Sequence, residues 1–284
     1  MSETAKRPSA YVALGAQRYR VTHVSNPMLS GISDVAVIGD RIVVLRRQAP
    51  ELVMLGLDGT MLGETAVLPQ FVCGHGLRAT SASQVAATDM DGHKVVLLDD
   101  TLQETARMDC AEHPGLGRPF NHPCDCTQGP DGRYYVADGY GNSAVHIFDP
   151  ALRHLKTFGH PGTEAGAFST PHCLLFDSQG RLCVADRENN RVQLFDPEGI
   201  CLGQIEGLHK PMALALTSQG VLLVTDQTPR LSAYAPNGEL IGRCRTFSTY
   251  GHGLAVQDDG TIVIAEMNPD RLTLLIPVPD AKAG

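Results

Sequence analysis

Short apolar runs bounded by polar residues recur along the whole chain and indicate its secondary structure. Examples are residues 133–138 and 181–186, each of which ends in aspartate. Between such runs lie dipeptides with glycine in second position, such as Asp131-Gly132, which supply the positive φ that tight hairpins need. No segment of useful length has a helical period. The pattern therefore predicts an all-β chain.

One stretch, residues 171–205, shows a repeating unit in full. It divides into four short predicted strands at 172–176, 182–186, 191–195 and 201–205. Five other stretches match it, and the position equivalent to His172 recurs every 40 to 49 residues. Four strands in about 40–45 residues is the size of a propeller blade, so six units predict a six-bladed β-propeller. The six equivalent positions, which we call the anchors, are Ser33, His75, Cys124, His172, Met212 and His252.

The two ends of the chain are predicted to close the ring. The sixth unit shows only three strands, whereas the segment 11–24 has strand character. This segment can supply the missing outer strand, which would remove an exposed sheet edge. We expect a single domain over residues 1–284 with disordered tails at 1–9 and 279–284, and a rim loop at 109–121.

Histidine occupies the anchor of every second unit, at His75, His172 and His252. Equivalent positions on alternate blades of a six-bladed ring lie about 120° apart around its axis. Three imidazoles at the inner strands would then converge and leave open positions, as catalytic zinc requires. Three unrelated core histidines are the alternative. The other eight histidines fall mostly in turns or outer strands, where we expect solvated side chains.

A second repeated position lies at the end of each unit's second strand. It holds Arg46 in the first unit and an acid in the others, where we expect a carboxylate to accept hydrogen bonds from N–H groups of a turn. The residues just beyond it vary and include Arg47, Tyr140 and Arg187. Either arginine could instead form a surface ion pair, whereas a cation near Tyr140 would favour a phenolate base. The acids are Asp89, Asp138, Asp186, Asp226 and Glu266.

Four segments carry a resemblance to a known family. They are DGYGNS at 138–143, PHCL at 171–174, VADRENNRVQLF at 184–195 and GHGL at 251–254. The repeated units resemble NHL repeats. The combination of segments resembles the catalytic core of the peptidyl-α-hydroxyglycine α-amidating lyases, over roughly Ser33 to Ile276.

The resemblance implies a role for each of the matching residues. His75, His172 and His252 match the zinc ligands of these lyases. Tyr140 matches the catalytic tyrosine, and Arg187 matches an active-site arginine.

Three positions depart from the family pattern. Arg47 stands in the position of a second family arginine, but Gln48-Ala49-Pro50 follows it where the family has Gly-Asp-His. The family's structural calcium uses an acid directly after the third histidine, and Gly253 stands there instead, which argues against calcium. Cysteines that pair in the secreted lyase are missing, since Gly141 follows Tyr140.

The sequence therefore predicts a zinc-dependent lyase. It would cleave the C–N bond of an N-acyl-α-hydroxyglycine-like or ureidoglycolate-like small molecule, and for the former the products are an amide and glyoxylate. Arg187, with Arg47, would clamp the substrate carboxylate in bidentate geometry. Two alternatives remain open: a non-catalytic NHL propeller that acts as a protein-binding scaffold, and a propeller hydrolase or lactonase that holds calcium through carboxylates and asparagine.

Composition and charge indicate which classes of binding partner the protein has. The chain has 23 Lys and Arg against 31 Asp and Glu, a formal net charge of −8, and no basic run. We therefore expect a small-molecule substrate with a carboxylate, and neither nucleic acid nor a membrane, as the partner. The eight cysteines form no Cys-x-x-Cys pair, and no apolar segment follows Lys6 and Arg7. These features predict reduced thiols and a cytoplasmic location; oligomeric state is not predicted.

Overall fold

Six antiparallel sheets form a ring, which confirms the predicted six-bladed β-propeller. The structure is a computed structural model and describes residues 10–49, 51–81, 84–109 and 118–279. The first strands of the blades contact one another in a closed order around the axis. Each blade is therefore a meander that starts at the hub and ends at the outside of the ring.

The strands follow the predicted units closely. The chain begins with β1 (Ala10–Leu14), β2 (Gln17–Val24) and a 3₁₀ turn at Pro27–Leu29. Blade 1 contains β3 (Ile32–Ile38), β4 (Arg41–Arg46), β5 (Leu52–Gly56) and β6 (Met61–Ala66). Blade 2 contains β7 (Gly74–Ser81), β8 (Gln84–Asp89), β9 (Lys94–Asp99) and β10 (Glu104–Asp109). Blade 3 contains β11 (Asp125–Gln128), β12 (Tyr134–Asp138), β13 (Ala144–Phe148) and β14 (His154–Phe158).

The second half of the ring repeats the same pattern. Blade 4 contains β15 (Pro171–Phe176), β16 (Leu182–Asp186), β17 (Arg191–Phe195) and β18 (Cys201–Ile205). Blade 5 contains β19 (Pro211–Leu216), β20 (Leu222–Asp226), β21 (Arg230–Tyr234) and β22 (Leu240–Arg245). Blade 6 contains β23 (Tyr250–Val256), β24 (Ile262–Met267) and β25 (Arg271–Pro277).

The N-terminal segment closes the ring, as predicted, but as a hairpin rather than one strand. Strand β2 pairs antiparallel with β25, in register from Tyr19↔Pro277 to Val24↔Leu272. Strand β1 then pairs with β2 as a fifth strand, through a turn at Gly15, whose φ of +63° suits glycine. The two chain ends are thus held in one sheet.

The core lies between the blades rather than inside any one of them. Six buried apolar clusters form, one between each pair of neighbouring blades. Alternation along a strand explains this arrangement, because successive side chains point to opposite faces of a sheet. In β4, Val43 and Leu45 pack towards blade 2, while Ile42 and Val44 pack towards blade 6. Every blade therefore depends on both of its neighbours.

The repeated acids at the ends of the second strands do accept turn N–H groups. Asp186, for example, accepts from the N–H of Ser169 at 2.7 Å and from Nε of Arg191 at 2.8 Å. One expectation was wrong here, because His146 is fully buried rather than solvated. Its Nε2 lies 3.0 Å from the carboxylate of Asp138. In blade 4, the guanidinium of Arg191 contacts the equivalent carboxylate, Asp186.

Some predicted features lie wholly or partly outside the described residues. The predicted tail at 1–9 and residues 280–284 of the predicted tail at 279–284 lie outside them. Of the rim loop predicted at 109–121, the structure describes Asp109, at the end of β10, and residues 118–121, where the carbonyl of Arg118 accepts from Nδ2 of Asn142. In the described part of the chain, no helix is long and apolar enough to cross a membrane. The seven cysteines within it are free thiols.

Candidate metal centre

A β-bulge flanks each of the three anchor histidines and turns its side chain towards the hub. In blade 4 the pairing of β15 with β16 shifts register between Pro171 and Cys173, on either side of His172. The same shift flanks His252 in β23 and His75 in β7. A bulge gives one strand an extra residue and re-aims its side chain. The repeat therefore places the three histidine side chains together at the hub.

The three anchor histidines meet at the axis, as the sequence predicts. His75, His172 and His252 are buried, and their ligand nitrogens all lie within 4.8 Å of one another. The ring centroids are 4.8 to 4.9 Å apart, and the rings stand nearly perpendicular to each other. Such spacing is close enough for one metal ion to be shared by the three imidazoles.

Hydrogen bonds between neighbouring blades fix the orientation of each ring. The Nδ1–H group of His75 donates to the carbonyl of Cys124 at 2.8 Å, and that of His172 donates to Met212 at 2.7 Å. His252 completes the pattern by donating to Ser33 at 2.8 Å. Each even blade thus donates to the anchor of the next odd blade. Sequence analysis missed this role of the odd anchors because backbone carbonyls, which any residue supplies, accept these bonds.

These bonds leave the Nε2 lone pairs directed at the hub. A neutral imidazole that donates from Nδ1 presents an acceptor at Nε2, and this tautomer is the one that binds a metal through Nε2. Burial lowers the pKa of His75 and His172 well below the ordinary value, and burial with the charge of Arg47 lowers that of His252 to about 3. All three rings are therefore neutral at pH 7, as metal binding requires.

Tyr140 and Arg187 lie beside the triad and contact one another. Nη1 of Arg187 donates to the Tyr140 hydroxyl at 3.0 Å, and that hydroxyl lies 3.2 Å from Nε2 of His75. Burial raises the pKa of Tyr140, although the charge of Arg187 and its hydrogen bond act in the opposite direction. The predicted catalytic tyrosine and arginine are thus brought together with one predicted metal ligand.

Arg47 also reaches the triad, at His252. Its Nη2 lies 3.3 Å from Nε2 of His252, and its backbone N–H donates to the carbonyl of Gly31 at 2.8 Å. The arginine whose following residues depart from the family pattern therefore also reaches the site. Two of the three Nε2 atoms face a predicted functional side chain, whereas Nε2 of His172 is buried and has no hydrogen-bond partner in the described part of the chain.

The donor set fits a divalent metal such as zinc. Three neutral imidazoles with bonded Nδ1–H groups are ligands that zinc accepts, and the carbonyl partners hold the rings in place. The unsatisfied Nε2 of His172 supports this fit, since a buried polar atom without a partner costs free energy unless a ligand satisfies it. His75, His172 and His252 are therefore the residues that could hold the metal.

The chain is similar in sequence to a repeat family and to several known proteins. The NHL repeat family model matches residues 168–195. The chain is 28% identical over 235 residues to a probable peptidyl-alpha-hydroxyglycine alpha-amidating lyase of Caenorhabditis elegans, covering 74% of this chain and 67% of that one. It is 30% identical over 229 residues to peptidyl-glycine alpha-amidating monooxygenase A of Xenopus laevis, which covers 71% of this chain. The chain spans only 24% of the length of that monooxygenase.

A further relative and two solved structures support the repeat and the fold. NHL-repeat-containing protein 4 of Mus musculus is 38% identical over 107 residues, which cover 37% of this chain and 74% of the relative. Virginiamycin B lyase from Staphylococcus aureus superposes with a TM-score of 0.67 at 13% identity, covering 92% of this chain and all of that one. A putative gluconolactonase superposes with a TM-score of 0.68 at 14% identity, covering 91% and 93%.

Proposed function

The chain belongs to the NHL-repeat proteins, and from that premise we propose that it is a zinc-dependent lyase. Its substrate would be a small N-acyl-α-hydroxyglycine-like molecule, and its products an amide and glyoxylate. One observation carries the proposal: three buried Nε2 atoms converge on the hub of the propeller, with Tyr140 and Arg187 beside them. The similarity to a named amidating lyase over 74% of the chain points to the same chemistry.

The reaction is a redistribution of protons around one C–N bond. A base takes the proton of the α-hydroxyl group, the oxygen's electrons form the carbonyl of glyoxylate, and the C–N bond breaks. The electron pair goes to nitrogen, which takes up a proton to give the amide. No oxidant or reductant is consumed. Zinc, if held by the three imidazoles, would supply Lewis acidity, which lowers the pKa of an alcohol and polarises a carboxyl group.

Tyr140 is the residue we assign to the proton transfer. Its hydroxyl oxygen lies 3.2 Å from Nε2 of His75, the nitrogen of that ring that is free to bind a metal. The guanidinium of Arg187 stabilises the phenolate form because it donates to the same oxygen. A positioned acid or base of this kind contributes about 10²–10⁴-fold to a rate.

The two arginines are assigned to the carboxylate of the substrate. Arg187 and Arg47 flank different histidines, at the Tyr140 hydroxyl and at Nε2 of His252 respectively. A guanidinium binds a carboxylate through two parallel N–H groups, which fixes orientation as well as charge. The substrate carboxylate would hold the hydroxyl group near Tyr140 in this arrangement.

The alternatives differ in the metal that they require. A propeller lactonase of the type considered above would use carboxylates, but within the described residues the group at the hub that could hold a metal consists of histidines. A binding scaffold would need no metal there.

A cytoplasmic location also remains part of the proposal, and the free thiols of the described cysteines suit a reducing compartment.

The proposal is tested by incubation of the zinc-loaded protein with a panel of N-acyl-α-hydroxyglycines and measurement of glyoxylate. We expect zinc-dependent release of glyoxylate from at least one compound with a free carboxylate, and no release from its methyl ester. Absence of glyoxylate from every compound, with zinc shown to be bound, would overturn the assignment. Lactone hydrolysis supported by calcium would favour the hydrolase instead.

A further inference from the structure

A second layer of buried polar side chains lies directly beneath the histidines. Its members follow the anchors in sequence: Asp34, Asp125 and Cys173, all buried. Each accepts an N–H group from the neighbouring blade. Asp34 accepts from Leu77 at 2.8 Å, Asp125 accepts from Leu174 at 3.0 Å, and Sγ of Cys173 accepts from Leu214 at 3.2 Å. Two carboxylates are thus enclosed in the channel below the proposed zinc.

Arg78 brings a positive charge into this layer. It belongs to β7 in blade 2, and its Nε and Nη2 donate to Oδ2 of Asp125 in blade 3 at 3.2 and 2.8 Å. The same Nη2 also lies 3.0 Å from Sγ of Cys173 in blade 4. Its side chain is only 15% exposed. The guanidinium therefore links the inner strands of three consecutive blades.

The structural calcium that the family resemblance implies does not fit at this place. Calcium takes six to eight oxygen ligands, and the implied acid would stand at position 253. A Cβ atom on Gly253 would lie 2.3 Å from Oδ1 and 2.6 Å from Cα of Asp34, so an acid cannot be accommodated there beside Asp34. The cavity between the histidines and this layer measures about 10 Å³, close to the smallest space that holds one water molecule.

The charges in the layer are already balanced without a metal ion. Burial, reinforced by repulsion from Asp125, raises the pKa of Asp34 to about 8. Asp34 is therefore largely protonated at pH 7, and the negative charge of Asp125 is paired with the guanidinium of Arg78. An added divalent cation would meet no uncompensated negative charge, and it would have to displace the guanidinium from Asp125.

We propose that Arg78 is the structural cation of the hub, and that its guanidinium does in this chain what a bound calcium ion would otherwise do. The side chain joins blades 2, 3 and 4 beneath the histidines and neutralises Asp125. A divalent cation is then bound at one place in the channel, the histidine triad. This inference concerns the stability of the ring and does not depend on which substrate the protein converts.

A cavity gives ions access to this layer. A cavity of about 260 Å³ opens on the far side of Arg78 and is lined by residues of the inner strands such as Val37, Leu216 and Val256. Ions can therefore approach the layer from the opposite end of the channel. Insensitivity to calcium would reflect the occupied charge site rather than a barrier.

The test is thermal unfolding of the zinc-loaded protein, with and without millimolar calcium, in a buffer from which contaminating calcium has been removed with a chelating resin. We expect the Tm of the parent protein to be the same in both. Arg78→Met should lower the Tm by about 5 °C or more, because it leaves Asp125 buried without its cation, and calcium should restore part of the loss. A calcium-dependent rise in the Tm of the parent protein, or an Arg78→Met variant as stable as the parent, would overturn the proposal.

Two further variants keep the test decisive if Arg78→Met does not fold. Arg78→Lys retains the charge and should unfold between the parent and Arg78→Met. The double variant Arg78→Met/Asp125→Asn removes the cation and the carboxylate together. It should be more stable than Arg78→Met alone, because no unpaired buried charge is left at position 125. A double variant that is less stable than Arg78→Met would contradict the proposed pairing. None of these readouts involves substrate, so they stand apart from the test of the lyase reaction.

Discussion

Arg187 donates from Nη1 to the hydroxyl of Tyr140 at 3.0 Å, and its guanidinium carbon lies 5.1 Å from the centre of the tyrosine ring. Two ion pairs fix the side chain of Arg187: its Nε donates to Glu188 at 3.0 Å, and Glu188 also pairs with Lys210 at 2.8 Å. A fixed cation at the phenol oxygen both orients Tyr140 and favours its ionised form. In the proposed reaction, the pair would link carboxylate recognition to proton transfer.

Replacement of Tyr140 by phenylalanine should separate chemistry from metal binding. Tyr140→Phe removes the hydroxyl that faces Nε2 of His75 but leaves all three imidazoles and their carbonyl partners in place. We expect kcat for glyoxylate release to fall by about 10²–10⁴-fold, with zinc content unchanged. Full activity in this variant would remove Tyr140 from the mechanism.

Arg187→Lys should weaken substrate binding more than zinc binding. Lysine keeps the charge but loses the paired N–H groups that reach the phenol oxygen and a carboxylate. Loss of one charged hydrogen bond costs about 1.5–3 kcal/mol, so kcat/KM should fall roughly 10–100-fold. The matched control is Arg153→Lys, whose side chain is 80% exposed at the surface and pairs with Asp149. Equal effects of the two substitutions would contradict a role for Arg187 at the site.

The orientation of His75 should depend on a glycine beside it. A Cβ atom at Gly76 would lie 2.4 Å from the carbonyl oxygen of Cys124, which is the acceptor for Nδ1–H of His75. Gly76→Ala should therefore displace that carbonyl and lower zinc affinity by about 10–100-fold, as loss of such a supporting bond typically does. Gly203→Ala is the control, because a Cβ atom there meets nothing within 4 Å. Competition with a zinc-binding dye gives both affinities, and equal values would show that the carbonyl bond is dispensable.

Much of this architecture could be predicted from the repeat. The spacing of hairpin turns and short apolar runs defines six equivalent units, and equivalence alone places alternate anchors such as His75 and His172 around one axis. The carbonyl groups that accept hydrogen bonds from the three histidines could not be predicted, because every residue has a backbone carbonyl whatever its side chain. Arg78 was missed because its reach across three blades depends on the direction of one long side chain. His146 was misjudged because its burial depends on pairing with Asp138 in space.

Stability should depend on pH through Asp34. The pKa of Asp34 is about 8 in the folded protein, whereas an unfolded aspartate has a pKa of about 3.9, so between these pH values the folded protein holds one proton more than the unfolded chain. This stabilising contribution is complete below about pH 4 and is lost as the pH rises through about 8, at up to about 1.4 kcal/mol per pH unit.

Asp34→Asn removes that titration while keeping the size of the side chain. Between about pH 5.5 and 7.5, the free energy of unfolding of the parent should fall relative to the variant by roughly 1–3 kcal/mol. Urea unfolding at several pH values measures the difference. Parallel pH profiles for the two proteins would contradict a proton on Asp34 in the folded state.

The metal content of the purified protein tests the central claim most directly. After saturation with zinc and exhaustive dialysis, the parent protein should retain one zinc per chain. His172→Ala should retain almost none, since it removes a ligand from the hub. His160→Ala should retain as much as the parent, because that imidazole is 65% exposed and pairs with Glu164 at the surface. A parent protein without zinc, or a His172→Ala variant that keeps the full amount, would contradict a metal centre formed by the three anchor histidines.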